Sequence, residues 1–128
     1  MMLRSAALLG LVAATALLGA CQEQIEAPLD KGVCYAVGTG PDGKIKFNVV
    51  ARNQPNIENC AAQLEGMRLR FLRMGGQTRE ISGAYQGSFI FLRSEGIFRA
   101  QTWEGNQYLM LVRSGDGRLV IPGAVQQQ

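Results

Sequence analysis

Two apolar runs decide the fold: residues 89–92, within the β-prone stretch 88–93, read FIFL, and residues 108–112 read YLMLV. In a strand, successive side chains point to opposite faces, so each run would be apolar on both faces of a sheet. Such strands are typical of the interior of a sheet that is covered on both sides. We therefore predict that both runs form central strands.

Further β-prone runs surround these two, at residues 79–85, 97–103 and 118–121. The segments between neighbouring runs are short, and each contains the glycine that tight turns favour: residues 86–87, 94–96, 104–106 and 114–117. Short links and regular spacing favour an antiparallel meander.

A hairpin and a helix are predicted upstream of the meander. Residues 33–38 are β-prone, residues 44–49 alternate strictly between polar and apolar, and residues 39–43 between them supply proline and glycine for a turn. Farther on, Ile57, Cys60, Ala61 and Leu64 recur at the spacing of one helix face, and Gly66 can end that helix.

The period changes after Gly66. Apolar residues at positions 67, 69 and 71 alternate with Arg68 and Arg70, which predicts one more strand. The fold class is therefore α+β and β-rich, with the order β-β-α followed by an antiparallel meander of five or six strands. A small β-barrel with one helix plugging an end is the alternative.

The first residues of the chain have the layout of an export signal. Arg4 is followed by an uncharged run from Ser5 to Ala20, which is shorter than the roughly 20 apolar residues of a spanning helix. The run ends in Leu18-Gly19-Ala20-Cys21, which resembles the lipobox of bacterial lipoproteins. The alternative is an ordinary signal peptide cut near the same place.

The lipobox resemblance implies a lipid anchor. In that family the thiol of the cysteine, here Cys21, receives a diacylglyceryl group and the signal is removed before it. Aspartate after that cysteine is associated with retention in the inner membrane, and Gln22 stands there in this chain. The resemblance thus implies the outer membrane, facing the periplasm. We predict a signal peptide at 1–20, the lipidated cysteine and a tether at 21–30, one folded domain at 31–123 and a disordered tail at 124–128.

Two cysteines remain after Cys21 is assigned to lipid, and an exported domain with one such pair is expected to join Cys34 to Cys60. The disulfide would hold the helix against the first strand. A metal site is the competing interpretation, but the chain has no histidine to complete the usual ligand set.

Composition also bears on catalysis. The absence of histidine excludes Ser-His-Asp and Cys-His nucleophile pairs. Candidate paired carboxylates are Glu80, Glu95, Glu104 and Asp116, but the last three fall in glycine-containing turns, where acidic residues are common. We expect no enzyme activity, no cofactor and no metal.

A binding surface is predicted from arginines and the single tryptophan. Arg68, Arg70, Arg99 and Trp103 occupy positions opposite apolar side chains in their predicted strands, so they would project outward. Trp103 as the cap of a small core is the alternative. Positive charges are otherwise scattered, so we expect a protein or cell-wall partner and no nucleic acid.

The function expected from these features is a lipid-anchored, non-catalytic module for binding or assembly in the cell envelope. The stretch Ser82-Gly83-Ala84-Tyr85 resembles the Ser-Gly-x-x-Tyr loop of lysozyme-inhibitor lipoproteins. That resemblance implies an alternative function, inhibition of a cell-wall-degrading enzyme. A small hydrolase is the third possibility.

Overall fold

The computed structural model describes residues 24–77 and 80–123 as an open, seven-stranded antiparallel sheet with one helix on one face. The strands lie side by side in the order β2-β1-β3-β4-β5-β6-β7. Their bounds, with that of the helix, are β1 Cys34–Thr39, β2 Ile45–Ala51, α1 Ile57–Arg73, β3 Ile81–Tyr85, β4 Ser88–Arg93, β5 Gly96–Ala100, β6 Tyr108–Arg113 and β7 Leu119–Val120. The predicted class and element order are confirmed, with five strands after the helix.

The helix is longer than predicted. Asn56 caps its first turn by accepting a hydrogen bond from the Asn59 N–H at 2.8 Å, and Gly75, with a φ of 92°, follows its last turn. The predicted strand at residues 67–71 is therefore wrong, because these residues continue α1 through Gly66. Met67 and Arg68 occupy the positions that extend the buried helical face, and the charge of Arg68 hid the helical period.

The disulfide between Cys34 and Cys60 is confirmed, with 5.3 Å between the two Cα atoms. It joins the start of β1 to the buried face of α1, and both cysteines are fully buried. The helix is thereby held over the sheet, where Leu64 packs with Ile90, Leu92 and Ile97.

The other face of the sheet is aromatic. Phe89 and Phe91 of β4 form its centre, with Tyr35, Phe47 and others around them. The rings of Phe47 and Phe89 lie 6.2 Å apart, although β2 and β4 are separated by β1 and β3. Three strand spacings would cover about 14 Å in a flat sheet. The sheet is therefore curled toward its aromatic face.

Strand β4 lies in the middle of the sheet, which confirms the prediction made for residues 88–93. The same prediction for residues 108–112 is confirmed only in part, because β6 lies between β5 and β7 but has β7 beside it only at its end. Strand β6 pairs with β5 through Tyr108, Leu109 and Leu111, and on its other side β7 pairs only with Val112 and Arg113. The beginning of β6 thus lies at the edge of the sheet.

The packed part of the chain begins at Ile25 rather than at Lys31. Ala27 is buried against the aromatic face and Ile25 is half-buried beside it, so part of the predicted tether belongs to the domain. The predicted signal peptide, Cys21 and the tail at 124–128 lie outside the described residues. Within the described ranges, no helix is long and apolar enough to cross a membrane.

Candidate functional site

Glu65 of α1 is a buried carboxylate held by two arginines. Arg68, one turn along the helix, donates from Nε and Nη2 to its two oxygens, both at 2.9 Å. Arg113 of β6 donates from Nε at 2.7 Å and from Nη2 at 3.0 Å. Because Arg113 also donates to the Arg93 carbonyl at 2.6 Å, this cluster ties the helix to β4 and β6.

The charge state of Glu65 follows from these contacts. Burial favours the neutral acid and would raise its pKa, but the hydrogen bonds and positive charges of Arg68 and Arg113 outweigh burial. Together they lower the pKa of Glu65 to about 2. The carboxylate is thus ionised and fully engaged, which is the condition of a structural ion pair rather than of a general acid.

A groove of about 390 Å³ runs beside this cluster, between α1 and β7, and Glu58, Glu65 and Arg118 are among its lining residues. Among the described residues that line the groove, Glu65 is the only buried carboxylate, and it is already paired with Arg68 and Arg113. The carboxylates at Glu95, Glu104 and Asp116 are exposed and lie in turns, as expected from the sequence. Glu80 is exposed just before β3.

The four residues predicted to form a binding surface do not come together. Arg68 is occupied by Glu65, and Arg70 is exposed on the same helix. Arg99 lies on the helix side of β5, where it pairs with Ile90 and donates to the Ser88 hydroxyl at 3.0 Å. Trp103 lies on the opposite, aromatic face. The predicted surface is corrected accordingly, since it assumed that Arg68 and Arg70 belong to a strand.

Trp103 has a structural role in the aromatic face. Its ring centroid lies 5.3 Å from that of Phe89 and 5.4 Å from that of Phe91. Arg93 places its guanidinium 6.0 Å from the Phe91 ring centroid and 5.7 Å from that of Phe98, farther along the same face. These contacts support the alternative in which the tryptophan covers a small core.

The open part of β6, residues 108–111, is the strongest candidate for a functional surface. No described strand pairs with it on the side away from β5. Tyr108 is 61% exposed and Leu109 is 46% exposed, and no residue from 106 to 111 is charged. An edge of this kind presents unpaired backbone groups beside apolar side chains.

The sequence contained one signal for this edge. The run at 118–121 is shorter than the run at 107–113, so part of the longer run had to lack a partner on one side. Apolarity on both faces suggested a central strand instead. The bulge between Ile97 and Phe98 also displaces the β6 side chains from a simple alternation.

Described residues contain no group of three or more Asp, Glu, Cys or His side chains that could hold a metal ion. No protein-family model, no curated protein and no solved structure is significantly similar to this chain.

Proposed function

We propose that this chain is a lipid-anchored, non-catalytic module of a bacterial cell envelope that binds an extended segment of a partner protein along β6. The observation that carries the proposal is the open, uncharged edge at residues 108–111. The lipobox-like sequence Leu18-Gly19-Ala20-Cys21 supports the anchor, and Gln22 favours the outer membrane, facing the periplasm.

The chemistry of the edge selects an extended polypeptide as the partner. A row of backbone N–H and C=O groups at strand spacing is matched best by another strand, whose side chains then meet Tyr108 and Leu109. The opposite edge of the sheet, β2, carries the exposed polar side chains of Lys46 and Asn48. Lysine on an edge strand opposes the addition of a further strand, so the two edges differ in kind.

The inhibitor alternative receives no support from the position of its motif. Ser82-Gly83-Ala84-Tyr85 lies within β3 rather than in a loop. Ala84 and Tyr85 are buried, and the Tyr85 hydroxyl donates to the Gln54 carbonyl at 2.5 Å. A segment engaged in this way does not enter the cleft of an enzyme, so we do not propose inhibition.

Crosslinking in living cells tests the edge. A photoreactive amino acid in place of Tyr108 is expected to give a discrete protein adduct, and Leu109→Lys should reduce its yield by about tenfold or more because a buried, unpaired charge opposes docking. Val49→Lys is the matched control, since Val49 on β2 is 47% exposed and Leu109 is 46% exposed. The control should leave the yield unchanged.

Equal adduct yields from the Leu109→Lys and Val49→Lys chains would place the partner elsewhere. An adduct with glycan strands instead of protein would contradict the choice of partner.

A further inference from the structure

The segment before β1 is fixed along one end of the sheet. The Trp103 N–H donates to the Ile25 carbonyl at 3.3 Å, Glu26 forms a β-bridge with Thr102, and the Gly87 N–H donates to the Pro28 carbonyl at 2.9 Å. These bonds attach the segment to the β5–β6 loop and to the β3–β4 turn. We call this end of the molecule, comprising residues 25–29, 86–87 and 101–107, the anchor end.

The chain between the anchor end and Cys21 is very short. Three residues, Gln22, Glu23 and Gln24, separate Cys21 from Ile25. An extended residue spans at most about 3.6 Å, so the Cα atoms of Cys21 and Ile25 lie within about 14 Å of each other in any conformation. A lipid on Cys21 therefore does not let the domain move freely above a bilayer, as a tether ending at Lys31 would.

An apolar side chain projects from the anchor end. Leu29 is 82% exposed, although it lies two residues after the buried Ala27 and packs near Gly87 only with the end of its side chain. A single exposed leucine is ordinary on a protein surface. Leu29 is distinguished by its place on the segment that leads directly to Cys21, the residue proposed to carry the lipid.

We propose that the anchor end rests on the phospholipid bilayer with Leu29 in contact with it, so that the domain has one fixed orientation. This inference rests on the proposed lipid anchor at Cys21. Helix α1 begins near the anchor end, where the Tyr85 hydroxyl donates to the Gln54 carbonyl, and runs toward the end of the sheet that holds Arg93 and Arg113. Met74, 78% exposed beyond the C-terminus of α1, therefore lies away from the proposed membrane contact.

The single tryptophan provides the measurement, because its backbone is bonded to Ile25. Full-length, lipidated protein is reconstituted into phosphatidylethanolamine and phosphatidylglycerol vesicles, with or without brominated acyl chains that quench nearby tryptophan. A variant with twelve Gly and Ser residues inserted between Glu23 and Gln24 serves as reference. Such a spacer adds about 20 Å of reach, so we expect at least about twofold stronger quenching in the wild type.

Leu29→Glu is expected to reduce quenching toward that of the spacer variant, whereas Met74→Glu, at a similarly exposed position, should leave it unchanged. Equal quenching in the wild type and the spacer variant would overturn the fixed orientation. Equal effects of Leu29→Glu and Met74→Glu would overturn the contact of Leu29. Failure of the anchor itself gives a different result: no acyl label on the chain and no protein in the membrane fraction.

Discussion

At the scale of single residues, Glu65 shows how a charge can be part of a core. It is 6% exposed, and each of its oxygens accepts from both Arg68 and Arg113. Breaking such a buried group of charges by removing one member leaves the others without compensation. The cluster therefore has to be lost or kept as a unit.

Replacing Glu65 with Gln tests this unit through its pH dependence. Because the pKa of Glu65 is lowered from 4.5 to about 2 in the folded protein, its contribution is present above pH 4.5 and is lost as the pH falls toward 2. We expect the variant to be about 2 kcal/mol less stable at pH 7, after allowance for solvent screening, and nearly equal to wild type at pH 2.

Urea unfolding of both proteins across this pH range measures the difference. Glu104→Gln removes the same charge from an exposed loop position and should show no comparable change. A difference for Glu65→Gln that persists unaltered to pH 2 would mean that lost packing, rather than lost charge, is its cause.

At the scale of elements, the sequence predicted types more reliably than ends. The glycine-containing turns marked β3, β4 and β5 correctly, and the disulfide pair followed from the cysteine count. The sequence predicts that α1 ends at Gly66, because glycine often follows the last turn of a helix and because Arg68 and Arg70 alternate with apolar residues as in a strand. Arg68 belongs on the buried face of α1 because it pairs with Glu65. Glu65 in turn is held by Arg113, 48 residues away in the sequence, and no local pattern reveals that contact.

Two glycine-to-alanine substitutions test whether α1 and β3 can accommodate an added Cβ atom. A Cβ at Gly66 would lie 3.6 Å from Arg70 Nη1, an ordinary contact, so Gly66→Ala should raise the free energy of unfolding by about 0.5–1 kcal/mol. A Cβ at Gly83 would collide with Leu64 Cδ1 and lie 2.7 Å from the Tyr35 carbonyl oxygen. Gly83→Ala should lower that free energy by about 1–3 kcal/mol.

Thermal and urea unfolding of the two variants measure these changes in the free energy of unfolding. Loss of stability in Gly66→Ala would show that the helix needs flexibility at this point. A neutral Gly83→Ala would show that Leu64 has space to move, and the close packing of α1 on β3 would be incorrect.

At the scale of the whole molecule, the fold class was predicted from the sequence, whereas the proposed binding edge was not. Order and class depend on local patterns that turns and periods reveal. The edge of β6 depends on which strand is left without a neighbour, and the separation of Arg99 from Trp103 depends on the chain turning after Ala100. Both properties arise from the assembled sheet, and the sequence signalled only the first of them, through the unequal lengths of the runs at 107–113 and 118–121.

The disulfide is expected to stabilise the whole domain. It closes a separation of 26 residues, for which the loss of freedom in the unfolded chain corresponds to about 3.5 kcal/mol. The free energy of unfolding of the double variant Cys34→Ala, Cys60→Ala should therefore be lower by about that amount, so the variant should unfold at a lower urea concentration. Reductant should lower the urea midpoint of the wild type but not that of the variant. A wild type whose unfolding is insensitive to full reduction would contradict this.

The difference between the two sheet edges limits how copies of the chain can associate. Two copies joined through β6 would be related by a two-fold axis. The β6 edge of each copy would then be paired with that of the other, so the assembly closes as a dimer. A contact from β6 of one copy to β2 of the next would repeat without end and grow into a fibre. Lys46 on β2 opposes that second contact. The open part of β6 can therefore pair with a further strand without growth of the chain into a fibre.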